Sequence, residues 1–115
     1  MRIKIPLYAG YLKILKVDDI ESYCKKEDLY GCGDGACSAV TYSHKNCIHL
    51  VFENSTDHGI IAHESLHATN IILENATIQA SYENDEAQAY LLQWVVNMCY
   101  KALNFNQIKS KRFKE

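Results

Sequence analysis

Apolar and polar residues alternate at the start of the chain, where Ile3, Ile5 and Leu7 fall on one side of a predicted strand over residues 2–8 and Pro6 suits an edge position. Gly10 marks a turn, and the apolar run from Tyr11 to Val17 predicts the partner strand. The period then lengthens, with Asp18 or Asp19 placed to cap a short helix through about Lys26. GCGDGAC, residues 31–37, reads as a loop; as a phosphate cradle it lacks a following helix and a downstream lysine. Val40 and Tyr42, then Ile48, Leu50 and Phe52, alternate on either side of a turn from Ser43 to Asn46, the pattern of a hairpin.

The second half changes period. From Asp57 to Glu74 the pattern is helical, with Ser55, Thr56 or Asp57 as N-cap and Ile61, Leu66, Ala68, Ile72 and Leu73 as the apolar contacts. A second long helix is predicted from about Asp85 to Leu103, capped by Asn84 and carrying two acids in its first turn. The expected fold is therefore α+β: a single small domain over residues 1–115, with a mainly antiparallel β-sheet and a pair of long C-terminal helices.

Composition adds exclusions more than partners. A formal charge of -2 gives no reason to expect a nucleic-acid partner, and the short basic tail KSKRFKE reads as a solvated end. No apolar run approaches the roughly 18 residues of a membrane span, and the N-terminus lacks the continuous apolar core of a signal peptide. Five cysteines at 24, 32, 37, 47 and 99 contain no CxxC pair, so reduced thiols in a cytoplasm are the expectation.

The chemistry concentrates in HESLH, residues 63–67, inside the first long helix. Residues four apart share a helical face, so His63 and His67 can present ring nitrogens to one ion. Glu64, about 100° further round, can reach a metal-bound water as general base without joining the ligand set. HExxH arises by accident on the order of once in a few hundred chains of this size. Its helical context and the strand before it raise its weight, while two histidines satisfied on an ordinary helix face are the plain alternative. A catalytic zinc takes three protein ligands. Asn70 and Leu73 stand where a metzincin places glycine and histidine, so the third ligand would be a carboxylate. Glu74 lies too far along the same helix, and Glu83 precedes the next one. Glu86, in the first turn of the second long helix, is the preferred third ligand, against the ordinary role of such an acid in offsetting the helix dipole.

HExxH with an NDE-type glutamate some twenty residues later resembles the gluzincin metallopeptidases. IPLYAGYLKI, IIAHESLH and ENDEAQAYLLQW together resemble small zincin-like peptidases encoded by bacteriophages. The resemblance implies a zinc-dependent hydrolase of peptide or protein substrates in a host cytoplasm, with one zinc per chain held by His63, His67 and Glu86. It implies zinc-activated water with Glu64 as base, and Asp85 or Asn84 supporting a ligand histidine. It also implies an extended substrate along the strand before the motif helix, Cys47 to Glu53. The helical domain that carries the oxyanion donor in larger gluzincins has no counterpart in the 29 residues after Glu86. Tyr90, Tyr82 and His58 are the substitutes to test, each with an ordinary packing or surface role as its alternative. That gap leaves a second reading, a zinc-binding protein-interaction module without turnover.

Overall fold

A computed structural model of the protein describes residues 1–29, 38–79, 81–83 and 85–104. The glycine-rich segment at 31–37, Asn84 as a cap and the basic tail lie outside them. Seven elements follow in chain order: β1 (Arg2–Lys4), β2 (Tyr11–Val17), α1 (Ile20–Lys26), β3 (Ala39–His44), β4 (Cys47–Glu53), α2 (His58–Asn75) and α3 (Asp85–Ala102). The fold is α+β.

The opening strand is shorter than its alternation suggests. Ile3 and Ile5 turn inward as expected, but Leu7 takes a left-handed φ of 67° and is fully exposed just after Pro6. Gly10, at φ 98°, completes the turn; a Cβ there would stand 2.9 Å from the Asn46 carbonyl oxygen, which accepts the Tyr11 N–H. Lys45 and Asn46 both have positive φ, the two-residue turn whose twist suits a hairpin.

The sheet is mixed, in the order β1-β2-β4-β3. β1 with β2 and β3 with β4 are antiparallel, but the central pair, β2 with β4, is parallel, which a crossover through α1 makes possible. β4 is thereby an interior strand, buried at Cys47, Ile48, Leu50, Val51 and Phe52, and β3 forms an edge.

Alternation divides the sheet into two faces. Leu12, Ile14, Ala39, Ile48, Leu50 and Phe52 meet α2 and α3 through Ile61, Ala68, Ile72, Leu73, Leu91, Val95 and Cys99. Each fully buried aliphatic or aromatic side chain contributes about 1.5–3 kcal/mol. On the other face α1 brings Ile20 and Cys24 against Val51, with Leu15, Val17, Val40 and Tyr42 around them. Cys24 is disulfide-bonded, which corrects the expectation of a reduced thiol at that position. A disulfide needs two Cα atoms about 5.5–6 Å apart, a condition that sequence spacing does not report. Cys47 and Cys99 are free.

Both caps read from the sequence form. Asp19 Oδ2 accepts the Ser22 N–H at 3.2 Å and Asp57 Oδ1 accepts the Ile60 N–H at 2.9 Å, contacts typically worth about 1 kcal/mol each. Leu66 does not join the core and is 42% exposed; Ser65 and Thr69 are fully buried in its stead. Ser65 Oγ meets Cys99 Sγ across the helix pair at 3.7 Å, and Thr69 Oγ1 donates to the Ser65 carbonyl at 2.8 Å, so no apolar side chain is needed there. α2 and α3 run antiparallel, tied also by His58 with Tyr100 and by Gln88 with Asn70. Among the described residues no helix is long and apolar enough to cross a membrane.

Candidate metal centre

His63 and His67 occupy the outer face of α2, away from the buried stripe of Ile61, Ala68 and Ile72. Their Nε2 atoms are 3.2 Å apart and the rings meet edge to face, with centroids separated by 4.8 Å. Two nitrogens each about 2.0–2.1 Å from a tetrahedral zinc lie roughly 3.3–3.4 Å from one another. The pair therefore has the separation of a chelate, on a face where 67% of the His63 side chain is open to solvent.

Glu64 turns from that face towards β3 and is only 8% exposed. Thr41, on β3, donates its hydroxyl to Glu64 Oε1 at 2.6 Å and approaches the Glu64 carbonyl at 3.3 Å. The other carboxylate oxygen, Oε2, stands 3.8 Å from His63 Nε2. Thr41 is thus the site residue that sequence reasoning missed. The signal was present: within Ala39–His44 the alternation puts Thr41 on the same side as buried Ala39, a polar residue facing the motif helix. A cleft of about 520 Å³ opens beside Glu64, lined by Ser38, Ala39, Asp57, Gly59, Ile60 and His63.

The strand beside this cleft is β3, which corrects the choice of Cys47 to Glu53 as substrate edge: β4 lies between β2 and β3 and has no open side. The hairpin turn pairs His44 with Cys47, and Glu53 N–H donates to the Ser38 carbonyl. Even-numbered residues of β3 accordingly bond inward, and Thr41 and Ser43 direct their backbone groups to the open edge.

The third-ligand candidates stand apart from the histidine pair. Among the described residues no three His, Cys, Asp or Glu side chains come close enough to share a metal ion. Glu86 is exposed in the first turn of α3. Nine positions separate it from buried Val95, about 180° of helical phase, so it points away from the core face. Asp85, also exposed, is fourteen positions from Cys99 and about 40° out of phase with it; Cys99 meets Ser65, which lies about 160° round α2 from both histidines. α3 reaches the outer side of α2 through Gln88, whose amide donates to Asn70 Oδ1 at 2.8 Å, three residues beyond His67.

The three oxyanion candidates also disperse. Tyr82 is 98% exposed in the turn before α3, and Tyr90, 68% exposed, lines an apolar groove with Pro6, Tyr8 and Trp94. His58 Nδ1 is hydrogen-bonded to the Tyr100 hydroxyl, a tie between α2 and α3. His44 and His49 are strand residues, as their alternation suggests. No protein-family model, curated protein or solved structure matches the chain, so what can be said of its chemistry rests on this geometry.

Proposed function

We propose that the protein is a zinc-dependent peptidase, with His63 and His67 as two ligands of one zinc per chain and Glu64 as general base. The observation that carries this reading is the convergence of the two Nε2 atoms at 3.2 Å beside a buried carboxylate pinned by Thr41. Zinc in such a site supplies Lewis acidity and an activated water. Glu64 takes a proton on Oε2, the oxygen that Thr41 leaves open, and returns it to the leaving amine. An extended peptide pairs with the outer backbone groups of Thr41 and Ser43, which brings its scissile bond past the cleft. By the spacing of the motif the third ligand is Glu86, which stands apart from the histidine pair in this structure.

The test is hydrolysis of a quenched-fluorescent peptide library by zinc-loaded protein, with Glu64→Gln as control. Cleavage by the wild type, abolished in Glu64→Gln while zinc is retained, supports the reading; zinc-loaded wild type that cleaves nothing rejects it. A second reading, a zinc-binding interaction module without turnover, draws on the absence of a converging third ligand among the described residues. It expects bound zinc, no cleavage, and no difference between wild type and Glu64→Gln.

A further inference from the structure

On the face of the sheet that α1 packs against, register fixes two rows of side chains. One runs Arg2, Lys13, His49, Tyr42 across all four strands; the next runs Lys4, Tyr11, Cys47, His44. Ile3, Leu12, Ile48 and Leu50 belong to the core on the opposite side, so alternation directs both rows to the α1 side of the sheet, where Cys47 is buried and His49 and Tyr42 are half-buried. Arg2, Lys4 and Lys13 are thus interleaved with four rings, Tyr11, Tyr42, His44 and His49. The chain-wide charge of -2 is a sum, and the sheet separates its terms.

The rings are ordered. The Arg2 guanidinium lies 3.9 Å over the centre of Tyr11. Tyr42 and His49 stack face to face, with centroids 4.5 Å apart and an interplanar angle of 3°, and the Tyr42 hydroxyl is hydrogen-bonded to that of Tyr23. Among the described residues none of Arg2, Lys4 and Lys13 forms an ion pair. Arg2 and Lys13 are direct cross-strand partners, an arrangement of like charges that destabilises a sheet and that a bound anion would relieve. Burial lowers the pKa of His49, and Lys13 and His44 press it the same way, while Glu27 acts against them.

We propose that this face binds single-stranded nucleic acid, with Arg2, Lys4 and Lys13 on phosphates and the half-buried His49–Tyr42 stack receiving a base. Cations alone would fit any polyanion. The ordered aromatic stack is what selects bases, because every base has a face to stack. This site is on the opposite side of the sheet from His63 and Glu64, and it stands or falls independently of them.

The experiment is fluorescence anisotropy of a labelled single-stranded 12-mer, as RNA and as DNA, titrated with the full chain at 50–200 mM KCl. Saturable binding is expected, with a log–log salt slope of about −2 for three phosphate contacts on a single strand. Arg2→Ala with Lys13→Ala should cut the slope by about 1.4, and His49→Ala should weaken binding about tenfold while keeping the slope. Lys16→Ala removes a cation from the other face and should change nothing. Circular dichroism confirms that each variant is folded. Binding that Lys16→Ala weakens as much as Lys13→Ala overturns the proposal, as does no saturable binding at 50 mM KCl. Equal competition by heparin, which has charge without bases, or by a duplex of the same sequence, also overturns it.

Discussion

Thr41→Val removes one hydroxyl and keeps the β-branched shape of the side chain on β3. Its oxygen donates at 2.6 Å to a carboxylate that is 8% exposed, so the substitution leaves Glu64 Oε1 largely buried without that donor. A hydrogen bond to a charged group contributes about 1.5–3 kcal/mol, so a loss of about 2 kcal/mol is expected. In a domain of this size that lowers the melting temperature by about 8 °C. Differential scanning calorimetry of four proteins isolates the contact: wild type, Thr41→Val, Glu64→Gln and the double variant. With a neutral acceptor at position 64 the valine should cost only about 1 kcal/mol, leaving a coupling of about 1 kcal/mol between the two sites. Thr41→Ser, which keeps the donor, should stay within about 2 °C of the wild type. A Thr41→Val protein that melts within 2 °C of the wild type refutes the reasoning, and so does a serine variant that falls as far as the valine.

Gly10→Ala forces a left-handed residue and a Cβ against the Asn46 carbonyl, and should cost about 1–3 kcal/mol in urea denaturation, with the hydrogen bond from Tyr11 N–H to that carbonyl opening first. Burial pushes the Cys99 thiol from 9.0 up to about 11, so the folded protein keeps a proton that the unfolded chain releases between those values. Stability from this group is level below pH 9 and falls as pH rises towards 11, by up to about 3 kcal/mol; Cys99→Ala should flatten that part of the wild-type urea-midpoint profile. If the motif spacing governs the third ligand, Glu86→Ala weakens zinc binding in calorimetric titration; an unchanged affinity removes Glu86 from the ligand set.

The helices were legible because their signals are local. Asp19 and Asp57 cap where the sequence places them, and α2 and α3 begin and end within about two residues of their patterns. The hairpin was equally local, set by Lys45 and Asn46. Strand order was not: the parallel pairing of β2 with β4 joins segments more than thirty residues apart, and no residue of either strand announces whether a parallel or an antiparallel neighbour will cover it. That single fact moved the open edge from β4 to β3 and with it the strand beside the cleft. The histidine pair was readable from the four-residue period alone. The partner of Glu64 was legible only in part: alternation puts Thr41 on the side of Ala39, but which helix residue it meets is set when β3 folds onto the edge of the sheet. Glu86 illustrates a different limit: its spacing matches the motif, yet its phase relative to Val95, countable in the sequence, directs it away from the buried side of α3.

The claim most exposed to test is that His63 and His67 bind a metal at all. Untagged wild-type protein, reconstituted with zinc, dialysed against a weak chelator and assayed by mass spectrometry, should hold about one zinc per chain, and His67→Ala should hold none. Wild type that comes through dialysis without zinc, or a His67→Ala variant that retains as much as the wild type, would contradict the account.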